Sequence, residues 1–148
     1  MNKVETYKLL CEQIKSLTQG ETEEVAKMAN IAAVIHAEMG FWWTGFYRVK
    51  NGELILGPFQ GPVACMHIPF GKGVCGTAWK QGETIVVPDV EQFPGHIACS
   101  SESRSEIVVP VFSADGEITA VLDIDSRELG TFDETDKQWL EEIVKCLD

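Results

Sequence analysis

Five cysteines punctuate the 148-residue chain, and three of them, Cys65, Cys75 and Cys99, fall in or beside its glycine-rich middle. Thiol chemistry needs an accessible thiolate and, for turnover without an outside thiol, a second cysteine within reach. Cysteines carried by loops can approach and separate, whereas a pair locked in a core cannot. Cys11 and Cys146 lie on the apolar faces of the first and last helical patterns, where a cysteine serves as a small buried hydrophobe. Zinc is a competing reading for the middle three, because Cys65-x-His67 and His96-x-x-Cys99 add two imidazoles. The usual structural pattern of two close cysteine pairs is missing, however, and a one-residue gap on a strand is awkward for chelation. Spacing alone therefore makes redox chemistry the leading candidate.

The elements that must position these thiols can be read from periodicity. Tyr7, Cys11, Ile14 and Leu17 recur at helical spacing, as do Val25, Met28, Ala32, Ile35 and Met39, with Gly20 between the runs. After Gly40, FWWTGFYRV reads as a strand, and Asn51-Gly52 predicts a hairpin into Glu53–Leu56. A further strand is expected near Val63–Ile68, then a short helix in FGKGVCGTAWKQG and a strand at Thr84–Val87. Pro88–Ser105 reads as a long loop, of the kind that is usually functional or disordered. Glu106–Phe112 and Glu117–Asp125 form a second hairpin around Asp115-Gly116. Thr131-Phe-Asp-Glu134 suggests a capping box for a last helix, with Trp139, Leu140, Ile143, Val144 and Leu147 facing the core. The order predicts one α+β domain over residues 1–148. Its antiparallel sheet has about six strands, flanked by N-terminal helices and a C-terminal helix.

Composition removes several classes of function. Twenty-three acids against twelve Lys and Arg give a formal charge of −11, which repels phosphate backbones and anionic membranes, so neither nucleic acid nor a membrane is expected as partner. The N-terminus has no apolar run of signal-peptide length, which places the chain in the cytoplasm, where thiols stay reduced. Gly71 and Gly73 in FGKG lack the spacing and the Lys-Ser/Thr ending of a phosphate loop. They read as hinges beside Cys75, whose pKa the amides of a helix starting near Gly73 would lower.

Three blocks, GPFQGPVACMHIPFGKGVCGTAW, VPDVEQFPGHIACSSESRSEIVVPV and AVLDIDSRELGTFDETD, closely resemble the free methionine-(R)-sulfoxide reductases, a GAF-domain family. The resemblance runs from about Trp42 to Trp139. It implies a GAF-like fold, reduction of free L-methionine-(R)-sulfoxide to L-methionine, and recycling of the oxidised protein by thioredoxin. It also implies Cys99 of GHIAC as the attacking thiol, with Cys65 or Cys75 resolving. Trp43, Tyr47, Glu106, Asp123 and Asp125 are the implied pocket residues. No cofactor and no metal are implied. N-terminal helices often pair GAF domains, which leaves a homodimer open.

These residues suit that chemistry. A thiolate attacks sulfur, an acid protonates the departing oxygen, and the resulting cysteine sulfenic acid condenses with a second thiol to a disulfide. Trp43 and Tyr47 share a strand face with Gly45 leaving space between them, which makes either a box for a methylthio group or an aromatic face packed under a helix. In LDIDS, Leu122 and Ile124 face one way while Asp123 and Asp125 face the other. That pair is either the polar outer face of a sheet or an anchor for a free amino acid's ammonium. Crowded and partly buried, such carboxylates would hold a proton for general acid catalysis, and Glu106 or Asp125 is the expected donor. His96 and His67 either tune thiolates or hydrogen-bond within loops. Two other classes compete with the enzyme, namely a non-enzymatic GAF sensor of a small ligand and a redox-sensing module whose disulfide switches an interaction.

Overall fold

Strand alternation divides the apolar residues of this chain between the two faces of a single sheet. The structure is a computed structural model that describes residues 1–148. Helices α1 (Lys3–Thr18) and α2 (Glu24–Met39) precede β1 (Trp43–Lys50), β2 (Glu53–Gln60) and β3 (His67–Pro69). Helix α3 (Gly73–Gln81) leads into β4 (Ile85–Val87), and a loop containing one 3-10 turn reaches β5 (Ser105–Phe112) and β6 (Ile118–Ser126). Helix α4 (Glu134–Val144) closes the chain. The six strands are ordered β3-β2-β1-β6-β5-β4, and every neighbouring pair is antiparallel. The expected α+β sheet of six strands is the observed one.

One face carries α1, α2 and α4. Phe46, Ile107, Val109, Leu122 and Ile124 point into this core and meet Tyr7, Leu10, Ile14, Met28, Ile31, Ile35, Leu140 and Ile143. The same residues explain the helical periodicity, although Leu17 and Val25 turn out to be exposed. Tyr7 donates its hydroxyl to Asp136 at 2.5 Å and Lys3 binds the same carboxylate at 2.7 Å, so α1 is pinned to the start of α4. The opposite face carries α3 and the long loops, and its buried residues include Trp43, Tyr47, Val74, Cys75, Val108 and Val121. No helix is long and apolar enough to cross a membrane.

Two local expectations need correction. The strand expected over Val63–Ile68 pairs only from His67 to Pro69, because residues 61–66 leave the sheet edge and Cys65 is bonded to Cys99. The cap of α4 is Asp133 rather than Thr131. Its carboxylate accepts from the amides of Thr135 and Asp136 while Asp136 accepts from the Asp133 amide, a capping box displaced by two residues. Thr131 instead donates its hydroxyl to Ser126 at 2.6 Å.

Candidate active site

Strand register assembles the polar centre of the second face. Asp125 on β6 stands between Trp43 on β1 and Glu106 on β5. Two residues along β6, Asp123 stands between Gly45 and Val108. Residues at this spacing share a face, so Glu106, Asp123 and Asp125 converge. Glu106 and Asp123 are each only 6% exposed, and Asp125 is partly buried. The sheet's second face is thus not a solvated surface. Leu122 and Ile124, alternating with the acids, fill the helical core instead.

The aromatic wall stands beside the acids. Trp43 lies nearly parallel to Tyr47, with centroids 6.1 Å apart, and to Phe59 at 5.3 Å. Its indole N–H donates to the carbonyl of Pro62 at 2.9 Å. The space expected at Gly45 is taken by this indole, since a Cβ there would sit 2.6 Å from Trp43 Cη2 and 2.4 Å from Phe59 Cβ. Any larger residue would therefore overpack the wall.

Cys65 and Cys99 form a disulfide with Cα atoms 5.5 Å apart across 34 residues of sequence. The bond staples the segment after β2 to the long loop before β5. Cys99 is exposed to solvent on one side and lines the cavity on the other, whereas Cys65 lies outside the cavity wall. Cys75 occupies the first turn of α3, buried, and faces the acids from above the sheet. The cavity enclosed by Trp43, Tyr47, Cys75, Cys99 and the three acids measures about 60 Å³, room for a few waters.

Electrostatics in this cavity are set by burial of like charges. No lysine or arginine lines it. Burial first, and then the neighbouring Asp123 and Asp125 charges, push Glu106 well above the carboxylate range. Burial also raises Asp123, and burial with the Asp123 charge raises Asp125 strongly. Burial of three crowded carboxyls therefore favours the protonated forms of the cluster. Cys75 is pushed up as well, by burial and then by the three carboxylates. This corrects the expectation that helix amides would lower it, because desolvation in a dry anionic pocket outweighs the partial charge of one helix end. Burial lowers His96, partly offset by Asp123, and its Nε2 lies 3.9 Å from Glu106 Oε1.

The structure brings together seven of the candidate residues, Trp43, Tyr47, Cys75, Cys99, Glu106, Asp123 and Asp125, with Cys65 bonded just outside. His67 is apart from them, exposed and 3.0 Å from Glu53. The zinc set of Cys65, His67, His96 and Cys99 does not converge. Ser103 and Ile97 belong to the site without any sequence signal. Ser103 donates its hydroxyl to Asp125 at 3.2 Å, and Ile97 closes over Gly73. Both lie in the long loop, where no periodicity marks which side chains turn inward.

A disulfide beside proton-holding carboxylates, mounted on one face of a curled antiparallel sheet, defines a thiol-dependent redox site on a GAF scaffold. The family described as GAF domain matches residues 18–145. GAF domain-containing protein A of Dictyostelium discoideum is 52% identical over 99% of this chain and 93% of its own length. Free methionine-R-sulfoxide reductase of Saccharomyces cerevisiae is 45% identical over 99% of this chain and 86% of its own. The solved structure of free methionine-R-sulfoxide reductase from Neisseria meningitidis, in complex with its substrate, superposes with a TM-score of 0.96 at 54% identity, covering 99% of this chain and 89% of that one. The chain belongs to the free methionine-R-sulfoxide reductase family of GAF-domain proteins.

Proposed function

We propose that the chain reduces free L-methionine-(R)-sulfoxide to L-methionine, with Cys99 attacking, Cys65 resolving and thioredoxin restoring both thiols. The Cys99 thiolate bonds to the substrate sulfur while a carboxyl proton passes to the sulfoxide oxygen. The hydroxyl then passes from the substrate sulfur to Cys99 Sγ as the S–O and transient S–S bonds break. Methionine leaves as the thioether, and Cys99 is left as a sulfenic acid. The Cys65 thiol then displaces that oxygen as water and forms the disulfide. A dithiol reductant takes over the disulfide by exchange.

The observation that carries this reading is the Cys65–Cys99 bond closing over a buried acid cluster. Cys99 has the cavity face needed for attack, and Cys65 stands behind it in bonding distance. Cys75 sits in a helix rather than a loop, which favours Cys65 as the resolving thiol. The high carboxyl pKa values keep a proton at Glu106 or Asp125 for the departing oxygen. In its charged form, Asp123 would pair with the ammonium that only a free amino acid presents. Trp43 and Tyr47 would hold the methylthio end.

The same reading places the protein in the cytoplasm, because recycling needs a reducing compartment. A homodimer through α1 and α2 is part of it, supported by exposed Val4, Leu9, Leu17 and Val25 on those helices. Sedimentation would test the dimer. The activity is tested by incubating the protein with separated free sulfoxide epimers and a thioredoxin system. Methionine should form from the R epimer, poorly from the S epimer or a sulfoxide inside a peptide. Comparable turnover of the peptide would refute specificity for the free amino acid.

A further inference from the structure

Sγ of Cys75 and carboxylate oxygens of Glu106 and Asp123 all lie within 4.8 Å of one another. They come from three different elements, α3, β5 and β6, and all three residues are buried. Asp123 Oδ1 is the one buried side-chain oxygen or nitrogen with no hydrogen-bond partner in the whole chain. Asp123 lines a cavity that has no lysine or arginine in its wall. His96 Nε2 lies 3.9 Å from Glu106 Oε1 on the loop side.

We propose that Cys75, Glu106 and Asp123, completed by His96, form an inhibitory site for a borderline divalent cation such as Zn²⁺. One sulfur, two carboxylate oxygens and one imidazole are a donor set that zinc accepts and that magnesium or calcium, lacking affinity for sulfur, does not. Tetrahedral zinc holds neighbouring ligands roughly 3.5 Å apart, so rotamer adjustments of about an ångström close the site. The cation replaces the thiol and carboxyl protons and answers the orphaned Asp123 oxygen. No redox step occurs in this binding. The inhibitory consequence rests on the function proposed above, since the cation occupies the place of the substrate ammonium and withdraws the proton donor.

The test uses the disulfide form, in which Cys75 is the only free thiol at the cavity. Co²⁺ is equilibrated with it as a spectroscopic probe and the thiolate-to-cobalt charge-transfer band is recorded, with Zn²⁺ expected to erase the band. Cys75→Ser should abolish the band, and Asp123→Asn and Glu106→Gln should each weaken binding tenfold or more. Magnesium should not compete. Absence of a band, or its persistence in Cys75→Ser, would overturn the site. If Cys75→Ser does not fold, undiminished binding in both carboxylate variants overturns it instead. Free methionine sulfoxide should raise the apparent Co²⁺ dissociation constant, and failure to do so removes the inhibitory role. Inactivity of the chelator-treated reduced enzyme toward sulfoxide would count against the proposed function alone, because the band is read without turnover.

Discussion

Tyr47 donates its hydroxyl to the backbone carbonyl of Cys65 at 2.9 Å. A side chain of the pocket wall thereby holds the segment that carries the proposed resolving thiol. Burial, with smaller contributions from the nearby acids and Cys75, raises the phenol's pKa, so it remains a donor across the working range.

Tyr47→Phe should leave the ring stacked on Trp43 and free the Cys65 segment. A net hydrogen bond of about 0.5–1.5 kcal/mol corresponds to roughly two- to tenfold slower disulfide formation. Single-turnover methionine release should be nearly unchanged, since Cys99 is untouched. Quenched-flow trapping of free thiols separates the two steps. Equal slowing of both would mean that Tyr47 acts on the substrate instead.

Cys99→Ser should abolish methionine release even with excess dithiothreitol. Cys65→Ser should release one equivalent and then stall as a sulfenic acid that a dimedone-type probe traps. Cys75→Ser should still form the Cys65–Cys99 bond, because those two sulfurs bond directly while Cys75 stays a free thiol in α3. Peptide mapping after one turnover reads all three. Exclusive linkage of Cys75 to Cys99 in the wild type would reverse the resolving assignment.

Among the acids, Asp123→Asn should mainly raise KM, since an ammonium anchor acts equally in ground and transition states. Glu106→Gln or Asp125→Asn should lower the single-turnover rate roughly 10²–10⁴-fold, the usual weight of general acid catalysis. Circular dichroism confirms the fold of each variant. Wild-type saturating rates in all three would remove the carboxyls as proton donors and leave His96 to be examined.

The acid cluster also sets a pH dependence of stability. Glu106 and Asp125 have folded-state pKa values raised above their unfolded ones, so the folded state binds more protons in between. Their stabilising contribution is fully present below the unfolded values, about pH 4. It is lost as pH rises through the folded values. Tm of the wild type minus that of Glu106→Gln should therefore fall as pH rises above about 4 and through the folded-state values. A difference that rises with pH would contradict the proposed protonation.

Much of this site could be read from sequence because strand alternation is a local property. Trp43 with Tyr47 and Asp123 with Asp125 declare their shared faces by spacing alone. What alternation cannot give is which face is dry. The carboxylates read equally well as a solvated surface until α3 and the loop from Pro88 are seen packed over them. The fate of residues 61–66 was likewise invisible, since the alternating pattern there is broken by a covalent bond to a cysteine 34 residues away. Ser103 lay in a polar run with no period, so only the fold reveals its hydrogen bond to Asp125. The sequence pattern puts the capping box in the right turn but on the wrong residue, because Thr131 and Asp133 are both good caps and tertiary bonding to Ser126 claims the threonine.

The alternation of Leu122 and Ile124 with Asp123 and Asp125 has an evolutionary consequence. Within this strand, Asp123 and Asp125 face the cavity while Leu122 and Ile124 face the helical core. Drift at the odd positions can change what is bound while the even ones keep the scaffold folded. That independence is consistent with the same architecture occurring in a solved structure only 13% identical in sequence. It also marks positions 43, 47, 106, 108, 121, 123 and 125 as a compact set for laboratory selection of new thioether or amine ligands, with the opposite face left untouched as ballast.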